Sequence, residues 1–234
     1  MHKIFYPDSI AIWGLSSKAN NIPRLIVQNL IRWGFKGRLF GVHPKGEESH
    51  VDGIRIYTAV KDLPIVPDLA VFLLPAKHIP DAVGEAGEFG IRRALIPSGG
   101  FNETGEEGRK LAERLMENIR KYNMRFMGPN GFTVANTANG LCIPFLPLFS
   151  PPRGGMSIIT QSGGLGVFLW NLLADDNIGL AKFASIGNKL DITEIDCIKY
   201  FGNDPDTRVI CIYLESIYNG RELIEAAMSI DKPV

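Results

Sequence analysis

The residues best placed to do chemistry are small, polar and glycine-flanked, and they recur just after apolar runs. Gly14-Leu15-Ser16-Ser17 follows the apolar run Ser9–Trp13, and a helical pattern opens a few residues later. A turn from a strand into a helix start offers backbone N–H donors and the positive end of the helix dipole, so it suits a phosphate. The dinucleotide fingerprint GxGxxG is absent, because Ser16 follows Leu15 and no further glycine comes before Gly34. The second apolar run, Arg38–Val42, also lacks the terminal acid that would hold the ribose 2′-hydroxyl of NAD. It ends in His43-Pro44-Lys45-Gly46. A cation there suits a phosphorylated ribose, as in NADP or coenzyme A, although a solvated surface lysine would look the same.

Three more loops fall where strands should end: Pro75-Ala76-Lys77, Ser98-Gly99-Gly100 and Gly128-Pro129-Asn130-Gly131. Open α/β sheets bind ligands at that edge. With Ser16 and Lys45 these loops can rim one crevice for a long, polyphosphorylated, partly apolar ligand. Each alone is also ordinary turn chemistry. Further on, Thr160-Gln161-Ser162-Gly163-Gly164 leads into the apolar stretch Leu165–Leu173, a second glycine-rich helix start suited to phosphate. Burial of that helix would reduce screening of its dipole. A tight strand-to-helix turn packed on glycine is the other use of the same residues. Glu215 follows Val209–Leu214 and could orient and charge a histidine, or simply be an exposed acid.

Other candidates fall away. Ser162 is not in a GxSxG context, so no hydrolase nucleophile is expected. His2, His43, His50 and His78 have no partner at ligand spacing and read as surface or loop residues. Cys142, Cys197 and Cys211 are widely spaced with no CxxC, so neither a disulfide framework nor a metal site is expected, and a reducing cytoplasm is the default.

The elements that must position these loops alternate strand and helix. Strands are expected at Ser9–Trp13, Arg38–Val42, Asp68–Leu74, Ala94–Pro97 and Met124–Met127, with helices near 23–33, 79–89 and 103–122. That grammar gives a parallel sheet with helices on both faces. Pro144, Pro147, Pro151, Pro152, Gly154 and Gly155 read as a linker. The pattern then restarts with strands at 156–160, 181–184 and 209–214 and helices near 165–173, 192–201 and 221–228. The expected division is a first domain over 1–143, a linker over 144–155 and a second domain over 156–234. Three parallel strands in the second part bury little core, so that domain is expected to be incomplete.

Length and charge agree. The 234 residues carry 25 Lys+Arg and 25 Asp+Glu, which removes the basic surplus that phosphate-neutralising nucleic-acid binders need. No apolar run approaches the length of a membrane span, and residues 1–8 lack the apolar centre of a signal peptide. A cytoplasmic globular protein without nucleic-acid or membrane partners is expected, with association into a homo-oligomer open.

Taken in order, these segments resemble the acyl-CoA synthetases that form a nucleoside diphosphate, a superfamily that includes succinyl-CoA synthetase α subunits and ADP-forming acetyl-CoA synthetases. The resemblance runs from PDSIAIWGLSS through FGVHPKGEE, DLAVFLLPAKHIP, SGGFNETGEEG and MGPNG to SIITQSGGLG, FASIGNKLDI and VICIYLESI, nearly the whole chain. It implies a Rossmann-like CoA-binding domain followed by a flavodoxin-like domain. It implies that Ser16, Lys45, Pro75, Lys77, Ser98 and Asn130 contact CoA, with Gly14, Ser17 and Pro44 in the same loops. Ser162, Gly163 and Gly164 would cap the helix that receives a phosphoryl group. Glu215 matches the glutamate that holds a phosphorylated histidine. The implied chemistry runs reversibly from acyl-CoA and phosphate through acyl phosphate and phosphohistidine to ATP or GTP, with a separate ATP-grasp domain or β subunit supplying the nucleotide and Mg²⁺ site.

The chain departs from the family pattern in three places. Asn20-Asn21-Ile22-Pro23 stands where further glycines are common, and Gly131 stands where a cysteine is common. The family histidine lies beyond the position of Val234, so residues 1–234 alone are expected to be inactive. Two other readings stay open here: a non-catalytic CoA-binding module of a protein acetyltransferase, and an NADP-dependent oxidoreductase.

Overall fold

The computed structural model describes residues 1–44 and 49–234, so the expected site residue Lys45 lies outside the described residues. The chain opens with a short helix, α1 (His2–Phe5), that no periodicity announced. The first block then contains β1 (Ser9–Trp13), α2 (Ile22–Arg32), β2 (Arg38–Val42), β3 (His50–Val51), β4 (Ile54–Tyr57), β5 (Leu69–Phe72), α3 (Ile79–Phe89), β6 (Arg93–Leu95), α4 (Glu106–Lys121) and β7 (Arg125–Met127). Among the described residues these strands form a seven-stranded sheet in the order β3-β4-β2-β1-β5-β6-β7. Only the short β3 runs antiparallel to its neighbour. Its parallel strands follow the order of dinucleotide-binding folds, and the direction of winding reverses between β1 and β5.

Alternation along β1 sends Ile10 and Ile12 to one face and Ala11 and Trp13 to the other, and all four are buried. A strand covered on both faces has that signature. Asn21 starts α2: its side chain accepts the Arg24 N–H, and Pro23 sits in the first turn, where its missing N–H costs nothing. Ile26, Val27 and Leu30 then form the buried stripe of the helix.

The second sheet differs from expectation. It has five strands among the described residues, in the order β12-β10-β11-β8-β9, not three parallel ones. These are β8 (Thr133–Asn136), β9 (Leu141–Cys142), β10 (Arg153–Thr160), β11 (Leu180–Ser185) and β12 (Val209–Tyr213). The helices α5 (Gly163–Asp175), α6 (Glu194–Gly202) and α7 (Gly220–Met228) complete the block. The hairpin β8–β9 pairs antiparallel with β11. Its turn is closed by Asn136 and Asn139, whose side-chain oxygens accept the N–H groups of Ala138 and Leu141.

Residues 144–152 form neither helix nor strand, but they are strapped down. Asn29 Nδ2 donates to the carbonyls of Pro144 and Leu146, both at 2.7 Å, and Trp170 Nε1 donates to the Phe149 carbonyl at 2.8 Å. Arg153–Gly155 already belong to β10.

The sheets also share a core. One continuous cluster joins Ile10, Ile12, Ile26 and Leu30 to Ile159, Ala184, Ile198 and Phe201. Helix α1 wedges into it: Phe5 is fully buried, stacked on Tyr200 at 5.2 Å and edge-on to Phe201 at 5.3 Å. Its carbonyl accepts from both Asn136 and Asn139. The expectation of a small, poorly buried second domain is therefore corrected, because the second sheet buries one face against the first block.

Candidate functional site

The parallel pairing puts the carboxyl ends of β2, β1, β5, β6 and β7 side by side, and every expected ligand loop of the first block grows from that edge. In spatial order these are Pro44, Gly14 to Ser17, Pro75 to Lys77, Ser98 and Asn130. At the usual 4.8 Å strand spacing the row is about 19 Å long. Pro44, Ser17, Pro75, Lys77 and Asn130 are exposed, and Ser16 and Ser98 are half-buried.

Gly14 turns the chain with φ +81°, and a Cβ there would sit 3.1 Å from Leu74 Cδ2 and 3.2 Å from the Leu73 carbonyl. The backbone therefore closes tightly onto the neighbouring strand. Two of the N–H donors behind it already have a partner within the protein. Asn21 Oδ1 takes both the Ser16 N–H at 3.2 Å and the Arg24 N–H at 3.0 Å, while its Nδ2 donates to the Gly14 carbonyl. Arg24 donates to both Asp52 oxygens, and this charge-assisted bond holds the Asp52 carboxyl below the usual carboxylate range.

The second block contributes its own edge. Ser162 caps α5 by accepting the Leu165 N–H at 3.3 Å. A Cβ on Gly164 would meet nothing within 4 Å, so the first turn of α5 is open to a ligand. Gln161, which spacing did not single out, ties this turn to the end of β12. Its Oε1 accepts the N–H groups of Glu215 at 3.0 Å and Ser216 at 3.1 Å, and its Nε2 donates to Ser216 Oγ.

Both edges meet in one cleft of about 470 Å³, the size of a small-molecule site. Asn130 and Gly131 line it together with Ser162, Gly163, Gly164 and Glu215, while Phe132, Phe145, Leu146 and Val167 give it an apolar side. Thus the structure joins Asn130 to the phosphate-type turn and the carboxylate. Ser16, Ser17, Pro44, Pro75 and Lys77 stay outside this cleft, on the adjoining edge. No histidine lines it among the described residues, nor do three or more His, Cys, Asp or Glu side chains converge among them as metal ligands would.

A polar clasp at the cleft was not expected. Asn188 Nδ2 donates to Glu103 Oε2 at 2.6 Å and to Asn102 Oδ1 at 2.8 Å, and Asn130 Nδ2 approaches Asn188 Oδ1 at 3.4 Å. Glu103 Oε1 accepts the Gly100 N–H at 2.5 Å. Burial opposes the charge on Glu103, but the N–H donors of Gly100, Glu103 itself and Phe101, with the Asn188 amide, outweigh it and hold the carboxyl below its ordinary value. Acids and amides in loops carry no periodic signal, so spacing could not reveal this clasp.

Comparison with known proteins gives a consistent picture. A family model described as a CoA binding domain matches residues 8–137, and one described as a succinyl-CoA ligase like flavodoxin domain matches residues 153–234. The chain is 39% identical over 236 residues to the α subunit of the ADP-forming acetate–CoA ligase I of Pyrococcus furiosus, covering 99% of this chain and 50% of that one. It is 36% identical to the ADP-forming acetate–CoA ligase of Methanocaldococcus jannaschii, covering 99% of this chain and 32% of that one. The solved acetyl-coenzyme A synthetase 1 of Ca. Korarchaeum cryptofilum, in complex with phosphate and ADP, superposes with a TM-score of 0.91 at 33% identity, covering 97% of this chain and 48% of that one. The chain thus spans about a third to a half of the length of these relatives.

Proposed function

Because this chain belongs to the acyl-CoA synthetases that form a nucleoside diphosphate, and is their CoA-binding part, we propose that it binds CoA along the carboxyl edge of the first sheet and delivers the thioester to the Ser162 cleft. The whole protein would be an ADP-forming acid–CoA ligase acting on a small carboxylic acid. The observation that carries this reading is the shared cleft, in which Asn130, at the end of the CoA-type row, meets the open first turn of α5 and Glu215.

The fit follows from the geometry. The row of loops offers an extended ligand about 19 Å of edge, with Pro44, which precedes Lys45 in the sequence, at one end and Asn130 at the other for the thiol arm. In the acyl-CoA direction, a phosphate oxygen attacks the thioester carbonyl, the C–S bond breaks, and the thiolate leaves to take up a proton. The N–H groups at the start of α5 and the dipole behind them stabilise the phosphate charge. The acyl O–P bond then breaks, the carboxylate leaves, and the phosphoryl group passes to a histidine of the whole protein, which Glu215 orients and charges. A separate ATP-grasp domain or subunit would hold the nucleotide and Mg²⁺ and would supply the transfer of that group to ADP.

The ligase names of the relatives favour this reading over a non-catalytic CoA-sensing module. The three unpaired cysteines suit a reducing cytoplasm. Among the described residues no helix is long and apolar enough to cross a membrane. The NADP-type alternative keeps one supporting observation, the strand order of the first sheet.

Calorimetric titration of the chain with CoA, with NADP as control, tests the reading. CoA binding that Lys45→Ala weakens about tenfold, as expected for a lost charge-assisted contact, with no binding of NADP, supports it. Folded protein that binds no CoA, or prefers NADP, overturns it.

A further inference from the structure

Behind the Glu215 loop lies a buried ion pair that no step above uses. Lys189 follows the cleft residues Gly187 and Asn188 and adopts φ +45°, a left-handed conformation unfavourable for a residue with a Cβ. Its side chain is 0% exposed and that of its partner Glu194, at the start of α6, is 3% exposed. Lys189 Nζ donates to both Glu194 oxygens at 3.0 Å and to the Ser216 carbonyl at 2.6 Å, and it lies 4.6 Å from the centre of the Tyr218 ring. Gln161 in turn accepts the N–H groups of Glu215 and Ser216. Ser216, next to Glu215, is therefore held at its N–H by the turn before α5 and at its carbonyl by the loop before α6.

A buried ion pair contributes little net stability, and apolar residues of the same volume often serve as well. What an apolar pair could not do is hold the Ser216 carbonyl. We propose that Lys189 is a positioning residue for Glu215: it anchors that carbonyl and, with Gln161, sets where the Glu215 carboxylate stands relative to the N-terminus of α5. The inference rests on the role given to Glu215 above.

The test uses the full-length enzyme with its ATP-grasp partner. Lys189→Met alone strands the Glu194 charge in the interior and is expected to destabilise the fold. The Lys189→Met/Glu194→Leu double variant removes both charges and is the informative one. It is expected to melt near the wild type and bind CoA with unchanged affinity, while kcat falls about 10- to 100-fold, the effect of a small misplacement at a reacting centre. KM for CoA is expected to stay constant. Gln161→Met, which touches no ion pair, should give the same split between kcat and KM, and it decides the matter if the double variant does not fold. Wild-type kcat in either folded variant overturns the proposal, as does a fall in kcat that comes with an equal loss of CoA affinity. A Glu215→Gln control with wild-type turnover would instead show that the role of Glu215 is wrong, which is a separate result.

Discussion

At the scale of single residues, the cleft is held by groups whose charge state matters. The Glu103 carboxyl is depressed in the folded protein, so the folded state binds its proton less readily than the unfolded chain does. Its contribution is therefore fully present above the ordinary carboxylate value and is lost as pH falls through the lower folded value. Urea denaturation of the wild type should show stability falling as the solution is acidified below about pH 4.3, the ordinary glutamate value. Glu103→Gln should flatten that slope while changing little near neutrality. An unchanged slope would mean that the clasp to Asn188 and Gly100 carries no charge-dependent stability. Ser162 offers a second check. It caps α5, so Ser162→Ala should cost about 1 kcal/mol of stability, and under the proposed chemistry it should also weaken retention of inorganic phosphate, measurable by calorimetry.

At the scale of elements, α1 has an effect out of proportion to its length. Phe5 is fully buried between the sheets and contacts Tyr200 and Phe201. Phe5→Ala should therefore cost about 3–5 kcal/mol, read as a lowered urea midpoint, and a loss below 1 kcal/mol would mean that α1 is an accessory. This element also shows where sequence reading stops. Strands buried on both faces, such as β1 and β5, declare themselves by continuous apolar runs, and β1 and α3 match their expected bounds. The ligand loops were legible because strand ends, glycines and helix starts are local. Helix α1 was not, because four residues carry no period and its stabilising partners lie in α6 and in the β8–β9 turn. The same holds for β8, whose four buried residues pair with a strand almost fifty positions later. Gln161, Asn188 and Lys189 act through partners set by tertiary packing, so spacing alone had nothing to say about them.

At the scale of the whole molecule, the expected picture of domain, linker and small second domain differs from the observed one in how it should unfold. A proline-rich stretch that behaved as a linker would let the second sheet melt by itself. Here that stretch is tied to α2 through Asn29 and to α5 through Trp170. Arg125 of the first sheet also pairs with Asp191, whose carboxylate accepts the Phe126 N–H at 2.7 Å, and one apolar cluster runs through both blocks. Opening either block alone would expose that cluster to water, so the two should unfold together. The tryptophans supply reporters on each side: Trp13 lies in the core under the first sheet, while Trp170 lies in the core beneath α5. Trp33→Phe/Trp170→Phe leaves Trp13 alone, and Trp13→Phe/Trp33→Phe leaves Trp170 alone. Each single-tryptophan protein should show a fluorescence midpoint in urea that coincides with its own far-ultraviolet circular dichroism midpoint, as a two-state transition requires. If the Trp170 signal changed at lower urea than the circular dichroism of the same variant, the second sheet would be an independent unit. The cleft between Asn130 and Ser162 would then be a gap between two separately folding bodies, and its geometry would depend on what else held them together.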